Sequence, residues 1–349
     1  VTFSKINACE NVIMLGNIKL IFIGKGGEGI IYGVDKYAVK FYKTNKSDYT
    51  EKYTNKGNSK EMFILEESSK LVDQHVTNTF LKLYAVTKIF NHTVIIMDLV
   101  NGDLESWTDV YHSDNEWLLM IFQLLYATFI MQMCLKVYHH DMKPKNMLFK
   151  RLDPQQTIKY VIKVGEKEHS FKFTVNTIFL ITDFGQASTL LSKSNVFIPE
   201  TIQLSIDNNL DLEHLAVFHN RQAVTLMKEA YTVKDLIEIG KTDKHFQSYY
   251  DHHYNKIKKN MKGYPPHVIE SMLFRALGYY LIEKKLIDIL DIPNVNNSIF
   301  LPSKKIQRVL ESLSELKGKG TLLNKIIELG NELNENNKQE DITLCVKIE

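Results

Sequence analysis

Four short motifs follow one another along this chain: Gly24-Lys25-Gly26-Gly27-Glu28-Gly29, Ala38-Val39-Lys40, His139-His140-Asp141-Met142-Lys143-Pro144-Lys145-Asn146, and Asp183-Phe184-Gly185. Each alone is weak, because glycine-rich runs and three-residue matches occur by chance. Their order constrains the fold. The first two fall among stretches that alternate like strands, and the last two follow a long apolar stretch that reads as a helix. A chain that brings all four together builds a small β-rich region first and a larger, mostly helical one after it.

Composition narrows the class. The 349 residues suffice for one large or two modest domains, and 44% are apolar, which is ordinary for a globular chain. The 43 basic and 41 acidic side chains leave a formal net charge of +2. That balance argues against a nucleic-acid coat or a polybasic membrane binder. Cys9, Cys134 and Cys345 are few, odd in number and far apart, so no disulfide framework is expected and the chain reads as reduced, intracellular and cytoplasmic. The apolar stretch from Val12 to Ile23 is broken by Asn17 and Lys19 and does not read as a signal peptide.

The run from Trp117 to Leu135 carries no charge over 19 residues, close to the length that spans a bilayer. A helix buried on all sides inside a large domain has the same composition. The buried helix is the expectation, with no membrane span.

Strands are expected at Ile18 to Ile23, Gly29 to Gly33, Lys36 to Tyr42, Phe80 to Val86 and Val94 to Leu99, with a tight turn at Gly33-Val34-Asp35-Lys36 and a helix from Ser59 to Gln74. Residues 44 to 59 read as a polar loop. A helix is expected over 115 to 137. Alternation around Ile158, Tyr160, Ile162 and Val164, then Phe171, Phe173 and Val175, predicts a β-hairpin within 150 to 182 turning at Gly165-Glu166-Lys167. Beyond residue 210 the chain reads as mostly helix. Ile306, Val309, Leu310, Leu313 and Leu316, then Leu322, Leu323, Ile326, Ile327 and Leu333, predict a terminal helical hairpin. Asn- and Lys-rich stretches at 294 to 297 and 331 to 338 read as loops.

The chemistry begins with the glycines. Gly24, Gly26 and Gly29 lack the Cβ atoms that would keep backbone N–H groups away from a dense anion such as a phosphate chain. A glycine turn without a ligand would look the same. Lys40, eleven residues on and flanked by Ala38, Val39 and Phe41, tips the balance, because an unpaired buried ammonium is costly. Lys40 needs a carboxylate, and Glu61, Glu66 and Glu67 on the following helix are the candidates. Glu61 opens Glu61-Met62-Phe63-Ile64-Leu65, an acid followed by apolar residues, and Glu67 best suits a solvated helix face.

In this order the motifs resemble those of the eukaryotic-type protein kinase family, over roughly residues 18 to 300. The resemblance implies an α+β, two-lobed fold: an N-lobe over 1–100, a mostly helical C-lobe over 101–300, a helical extension of the C-lobe over 301–349, and an inserted hairpin before Asp183-Phe184-Gly185. It implies ATP and Mg²⁺ between the lobes and protein substrates with Ser or Thr acceptors, Lys143-Pro144 being the serine/threonine form. Lys40 would hold phosphates and pair with Glu61. Asp141 would handle the acceptor hydroxyl, and Lys143 would steady the transferred phosphate. Asn146 and Asp183 would hold the metal.

The resemblance also places Met97 at the pocket entrance, Asp98 O and Val100 N–H on the base, and Ile31, Ala38 and Leu148 around it. Asp103 falls near the ribose. Leu65, Leu83, His139 and Phe184 match a packed column, Pro199-Glu200 the end of the activation segment, and Asp211 a buried acid holding the catalytic loop.

Departures from the family pattern matter as well. Position 140 is His where regulated kinases carry Arg, and the segment from Asp183 to Glu200 is short, so activation without phosphorylation is expected. The long insertion and tight turn resemble divergent kinases, among them haspin-like enzymes and those of large DNA viruses. Two other classes remain open: an inactive kinase-fold scaffold that regulates a partner, and a kinase of small molecules. His245, His252 and His253 are read as a solvated loop rather than a metal site. Lys256, Lys258, Lys259 and Lys262 are read as plain surface rather than a docking patch.

Overall fold

A computed structural model describes residues 11–25, 29–42, 58–89, 92–189, 211, 220–293, 300–316, 318–335 and 338–348. The expected loop at 44 to 59, Cys9, Gly26, Pro199-Glu200 and the loop at 294 to 297 lie outside these residues or almost wholly so. The fold is α+β, with an antiparallel sheet in the N-terminal region and a mostly helical C-terminal part.

Six strands form the first sheet: β1 (Val12–Leu15), β2 (Ile18–Lys25), β3 (Gly29–Val34), β4 (Tyr37–Tyr42), β5 (Leu83–Ile89) and β6 (His92–Asp98), in the order β1-β2-β3-β4-β6-β5. Five strands were expected. The sixth, β1, joins β2 through a turn at Gly16, whose φ of 61° suits glycine. β5 starts at Leu83 rather than Phe80, because Phe80 instead bridges Ile181. The β3–β4 turn is as tight as expected, with Asp35 at φ 50°.

Alternation along the strands gives the sheet two faces. Leu20, Ile30, Tyr32, Val39, Phe41 and Val94 form a buried cluster on one. The register places Ile31, Lys40 and Ile95 in one cross-strand row on the other, beside Ala38 and Met97. Helix α1 (Asn58–Asp73) is tied to β5, where Leu83 N–H donates to Ser69 Oγ at 2.9 Å.

The chain then passes through β7 (Gly102–Asp103), α2 (Leu104–Trp107), α3 (Asp114–Met133) and β8 (Val137–Tyr138) into a long antiparallel hairpin. Its strands are β9 (Met147–Val164) and β10 (Lys167–Ile181), turning at Gly165 (φ 58°) and Glu166. The hairpin is longer than expected and begins directly after the His139–Asn146 motif. A short β11 (Ser188–Thr189) pairs with β8.

The hairpin explains the charge-free helix. Among the described residues α3 is the one helix long and apolar enough to cross a membrane, yet 83% of that stretch is buried in the protein. Phe122 packs edge-on against Tyr160, Phe171 and Phe173, at centroid distances of 5.1, 6.0 and 4.7 Å, and Tyr126 packs on Tyr160. Such pairs each contribute about 0.5–1.5 kcal/mol beyond the area they bury. Residues from Met120 to Gln132 are buried on every face of the helix, so it has no solvent face there for charge to occupy.

The chain divides into two compact units. One takes Val1–Trp107, Asn115–Leu215 and Ser314–Glu349; the other takes Thr108–Asp114 and Ala216–Leu313. These limits differ from the lobe boundaries expected at residues 100 and 300. The second unit holds α4 (Asn220–Ala230), α5 (Val233–Gly240), α6 (Phe246–Asn260), α7 (Pro266–Glu283) and α8 (Lys304–Leu313) around a core that includes Leu226, Phe246, Leu277 and Leu281.

The expected terminal helical hairpin is not formed as one piece. Its second helix, α9 (Gly318–Leu333), belongs to the first unit and lays Gly330 against the Phe171 ring. The chain then ends in a strand, β12 (Ile342–Ile348), which pairs in parallel with β9 and buries Leu344 and Val346. His252 and His253 lie on helix α6, not in a loop, and His253 stacks on Tyr249 at 4.2 Å. Lys256, Lys258 and Lys259 are exposed on the same helix.

Candidate functional site

The first unit contains a cavity of about 310 Å³, at the lower end of the range for small-molecule sites. Ile31, Leu65, Leu81, Ile95, Met97 and Leu148 give it apolar walls. Lys40, Glu61, Lys145, Asn146 and Asp183 give it charge and polarity. The motifs supplying these groups stand far apart in sequence, and the sheet register, α1 and the hairpin bring them to one place.

Lys40 Nζ lies 3.5 Å from Glu61 Oε1, with the two side chains 17% and 8% exposed. Glu61 therefore meets the lysine, as preferred over Glu66 and Glu67; Glu67 pairs with Lys70 instead. Glu61 stands in the first turn of α1, where the helix dipole favours an anion. Lys40 also sits 4.4 Å from the centre of the Tyr42 ring.

The loop around Asp141 is held by backbone and side-chain bonds together. Buried Asp211 accepts the N–H groups of His139 (2.9 Å) and His140 (2.8 Å). His139 Nε2 lies 2.8 Å from Thr182 O, and its Nδ1 accepts the Asp141 N–H at 3.2 Å. A ring accepting at Nδ1 donates from Nε2, which defines its neutral tautomer. Thr182 N–H returns a bond to Asn146 O at 3.0 Å. This lattice fixes two non-glycine residues in the left-handed region, His140 (φ 61°) and Asp183 (φ 65°). Each such residue costs roughly 1–2 kcal/mol, and such outliers gather where a side chain must be aimed.

Asp141 Oδ2 accepts from Lys143 Nζ at 2.6 Å and from Asn146 Nδ2 at 3.0 Å. Asn146 Nδ2 also donates to Asp141 O at 2.8 Å. Both bonds use the amide nitrogen, so Asn146 Oδ1 remains as the acceptor that a hard cation would take. Phe184 is buried, 5.3 Å from the His139 ring and 6.3 Å from Phe80.

Of the residues expected around a nucleotide, Gly29, Ile31, Lys40, Met97 and Leu148 line the cavity; Gly24, Ala38, Asp98, Val100 and Asp103 do not. Asp141 and Lys143 stand outside the lining; Asp141 is bonded to Asn146 within it and Lys143 to Asp141. Gly29 has a reason of its own to be glycine, because a Cβ there would collide with the Phe41 carbonyl oxygen. At Gly24 nothing lies within 4 Å of a Cβ, so packing within the protein does not require glycine there. Asp103 Oδ1 accepts the Ser106 N–H at 2.9 Å, a helix-capping bond at the start of α2.

Sequence reasoning missed Leu81, Ile95, Thr182 and Lys145. Ile95 had a signal, since it lies two residues before Met97 and so on the same face. Leu81 lay inside the strand expected from Phe80, two residues before Leu83, although in the structure it precedes β5.

The donor set fits a nucleotide with Mg²⁺ better than a metal held by protein alone. Among the described residues no group of three or more His, Cys, Asp or Glu side chains could hold an ion. One carboxylate and one amide oxygen at a cavity wall are the ligand set Mg²⁺ accepts when phosphate oxygens and water complete its shell. In comparisons with known proteins, no family model and no curated protein matches this chain.

Proposed function

We propose that the chain is a serine/threonine protein kinase with a two-lobed, kinase-like fold, acting in the cytoplasm. It would transfer the γ-phosphate of ATP to hydroxyls of protein substrates, with Mg²⁺ as cofactor and without activation-loop phosphorylation. One observation carries the reading. Lys40 paired with Glu61, together with Asn146 and Asp183, lines a single cavity, and Asp141, which accepts from Lys143, is bonded directly to Asn146.

Each group would have its own task. Ile31, Met97 and Leu148 supply apolar surface for a base, with Asp98 O and Val100 N–H proposed as its hydrogen-bonding edge. Lys40, steadied by Glu61, places positive charge against phosphates. Asn146 Oδ1 and Asp183 would hold Mg²⁺, which when bound neutralises phosphate charge. Asp141 orients the acceptor hydroxyl and receives its proton, and Lys143 beside it offsets charge on the transferred group. Catalysis of this kind is mostly positioning and charge neutralisation.

The test is transfer of labelled γ-phosphate from ATP to generic protein acceptors, beside a panel of small hydroxylated acceptors. Label on Ser or Thr of protein is expected. Label only on small molecules would mean a small-molecule kinase. Nucleotide binding without transfer would mean a scaffold.

A further inference from the structure

We infer that Lys150 and Tyr84 are positioning residues that act through Asp98 to brace the segment 98–101, the proposed base-binding edge of the cavity; the inference rests on that nucleotide-binding reading. Asp98 ends β6, and its side chain, 14% exposed, collects donors from two directions. From the β5 side come Tyr84 Oη at 3.1 Å and Lys82 N–H at 3.4 Å. From the hairpin comes Lys150 Nζ at 3.2 Å. Partial burial and then the Asp98 carboxylate push the Tyr84 phenol up to about 12, so it remains a donor near neutral pH.

The backbone on either side is fastened in the same way. Leu99 N–H donates to Lys36 O at 3.0 Å, at the β3–β4 turn. Asn101 N–H donates to Phe149 O at 2.9 Å, and Arg151 N–H donates to Asn101 Oδ1 at 2.7 Å, both on β9. Residues 98–101 are thus anchored to the six-stranded sheet by Lys36, Lys82 and Tyr84, and to the hairpin by Phe149, Lys150 and Arg151. Leu148, a cavity wall, is the next residue along β9. The hairpin therefore has a role at the cavity besides covering α3: its first residues lock the segment that would meet the base, so the cavity is set before ligand arrives.

The experiment uses the full chain and measures two quantities: affinity for a fluorescent adenine nucleotide in Mg²⁺ buffer, and amide hydrogen exchange at Leu99 and Asn101. Lys150→Met is expected to weaken nucleotide binding about fivefold, the scale of one partly exposed ion pair. Exchange at both amides should quicken, and turnover at saturating ATP should stay within about twofold. Lys150→Arg should restore affinity and exchange. Lys163→Met, which breaks the Glu168 pair (2.8 Å) near the hairpin's turn, should change neither.

Should Lys150→Met fail to fold, Tyr84→Phe removes a single hydroxyl and carries the same expectation at about twofold. Where the wild type binds nucleotide, the brace requires both changes, and either alone overturns it. Where the wild type binds none, the nucleotide reading has failed. Exchange then decides the brace alone: faster exchange in Lys150→Met supports it, and unchanged exchange overturns it.

Discussion

His140 Nε2 lies 2.7 Å from Ser188 Oγ. That bond joins the loop before Asp141 to the residues after Asp183, alongside the β8–β11 pairing of Tyr138 with Ser188. On the proposed reading, the position where regulated kinases use an arginine to receive a phosphate holds an imidazole bonded to the Ser188 hydroxyl. Thr189 to Glu200 hold further hydroxyls, of which Ser192 and Ser194 lie outside the described residues.

Phosphatase-treated protein is therefore expected to be active from its first turnover. The variant with Ser188, Thr189, Ser192 and Ser194 replaced by Ala should lose no more than about fivefold, since a neutral hydrogen bond contributes about 1 kcal/mol. A progress curve with a lag that shortens as enzyme concentration rises would show that self-phosphorylation is required.

The Lys40–Glu61 pair is largely buried, so removing either partner takes a close counter-charge from the other. Lys40→Met and Glu61→Gln should each lower transfer by roughly 10²-fold. The double variant should be little worse than either, because groups acting as a unit share one loss. Full additivity in the double-mutant cycle would mean that the pair has no joint function.

Asp141 and Asp183 should separate chemistry from binding. Asp141→Asn keeps the side-chain shape beside Lys143 and Asn146 but removes the proton acceptor. Transfer should fall by roughly 10²–10⁴-fold with nucleotide affinity retained. Asp183→Asn should instead weaken binding of Mg·ATP. Turnover of Asp141→Asn within about twofold of wild type would remove Asp141 from the reaction.

Gly330→Ala tests the packing of α9 on the hairpin. Alanine improves helix propensity by about 1 kcal/mol, but its Cβ would lie 2.7 to 2.8 Å from three Phe171 ring atoms. Overpacking of this kind costs about 1–3 kcal/mol. The variant should unfold at lower denaturant than wild type, and adding Phe171→Leu should return part of the loss. A Gly330→Ala protein more stable than wild type would show that α9 shifts freely on the sheet.

Much of the site was legible because its parts obey short-range rules. Alternation placed Lys40 among strand residues, and helical spacing put Glu61 at the start of α1. Alternation around Ile158 to Val175 gave the hairpin and its turn at Gly165. What each of these becomes next to the others has no local signature. Alternation cannot say that Phe171 meets Phe122, or that a helix of membrane length is buried in protein rather than in lipid.

The amino-acid sequence by itself determined the strands β2 to β4, the helix α1, the hairpin, and the residues on which the proposed chemistry depends. Periodicity and turn residues act within a few positions of one another, so they can be read without a fold. Tertiary structure alone decided that β12 pairs with β9, that α9 leaves its neighbour α8 for the first unit, and that Leu81 and Lys145 line the cavity. It also decided that Lys150 and Tyr84 converge on Asp98. Those contacts join residues from 14 to nearly two hundred positions apart, and their energy exists only once the chain has closed the loops between them.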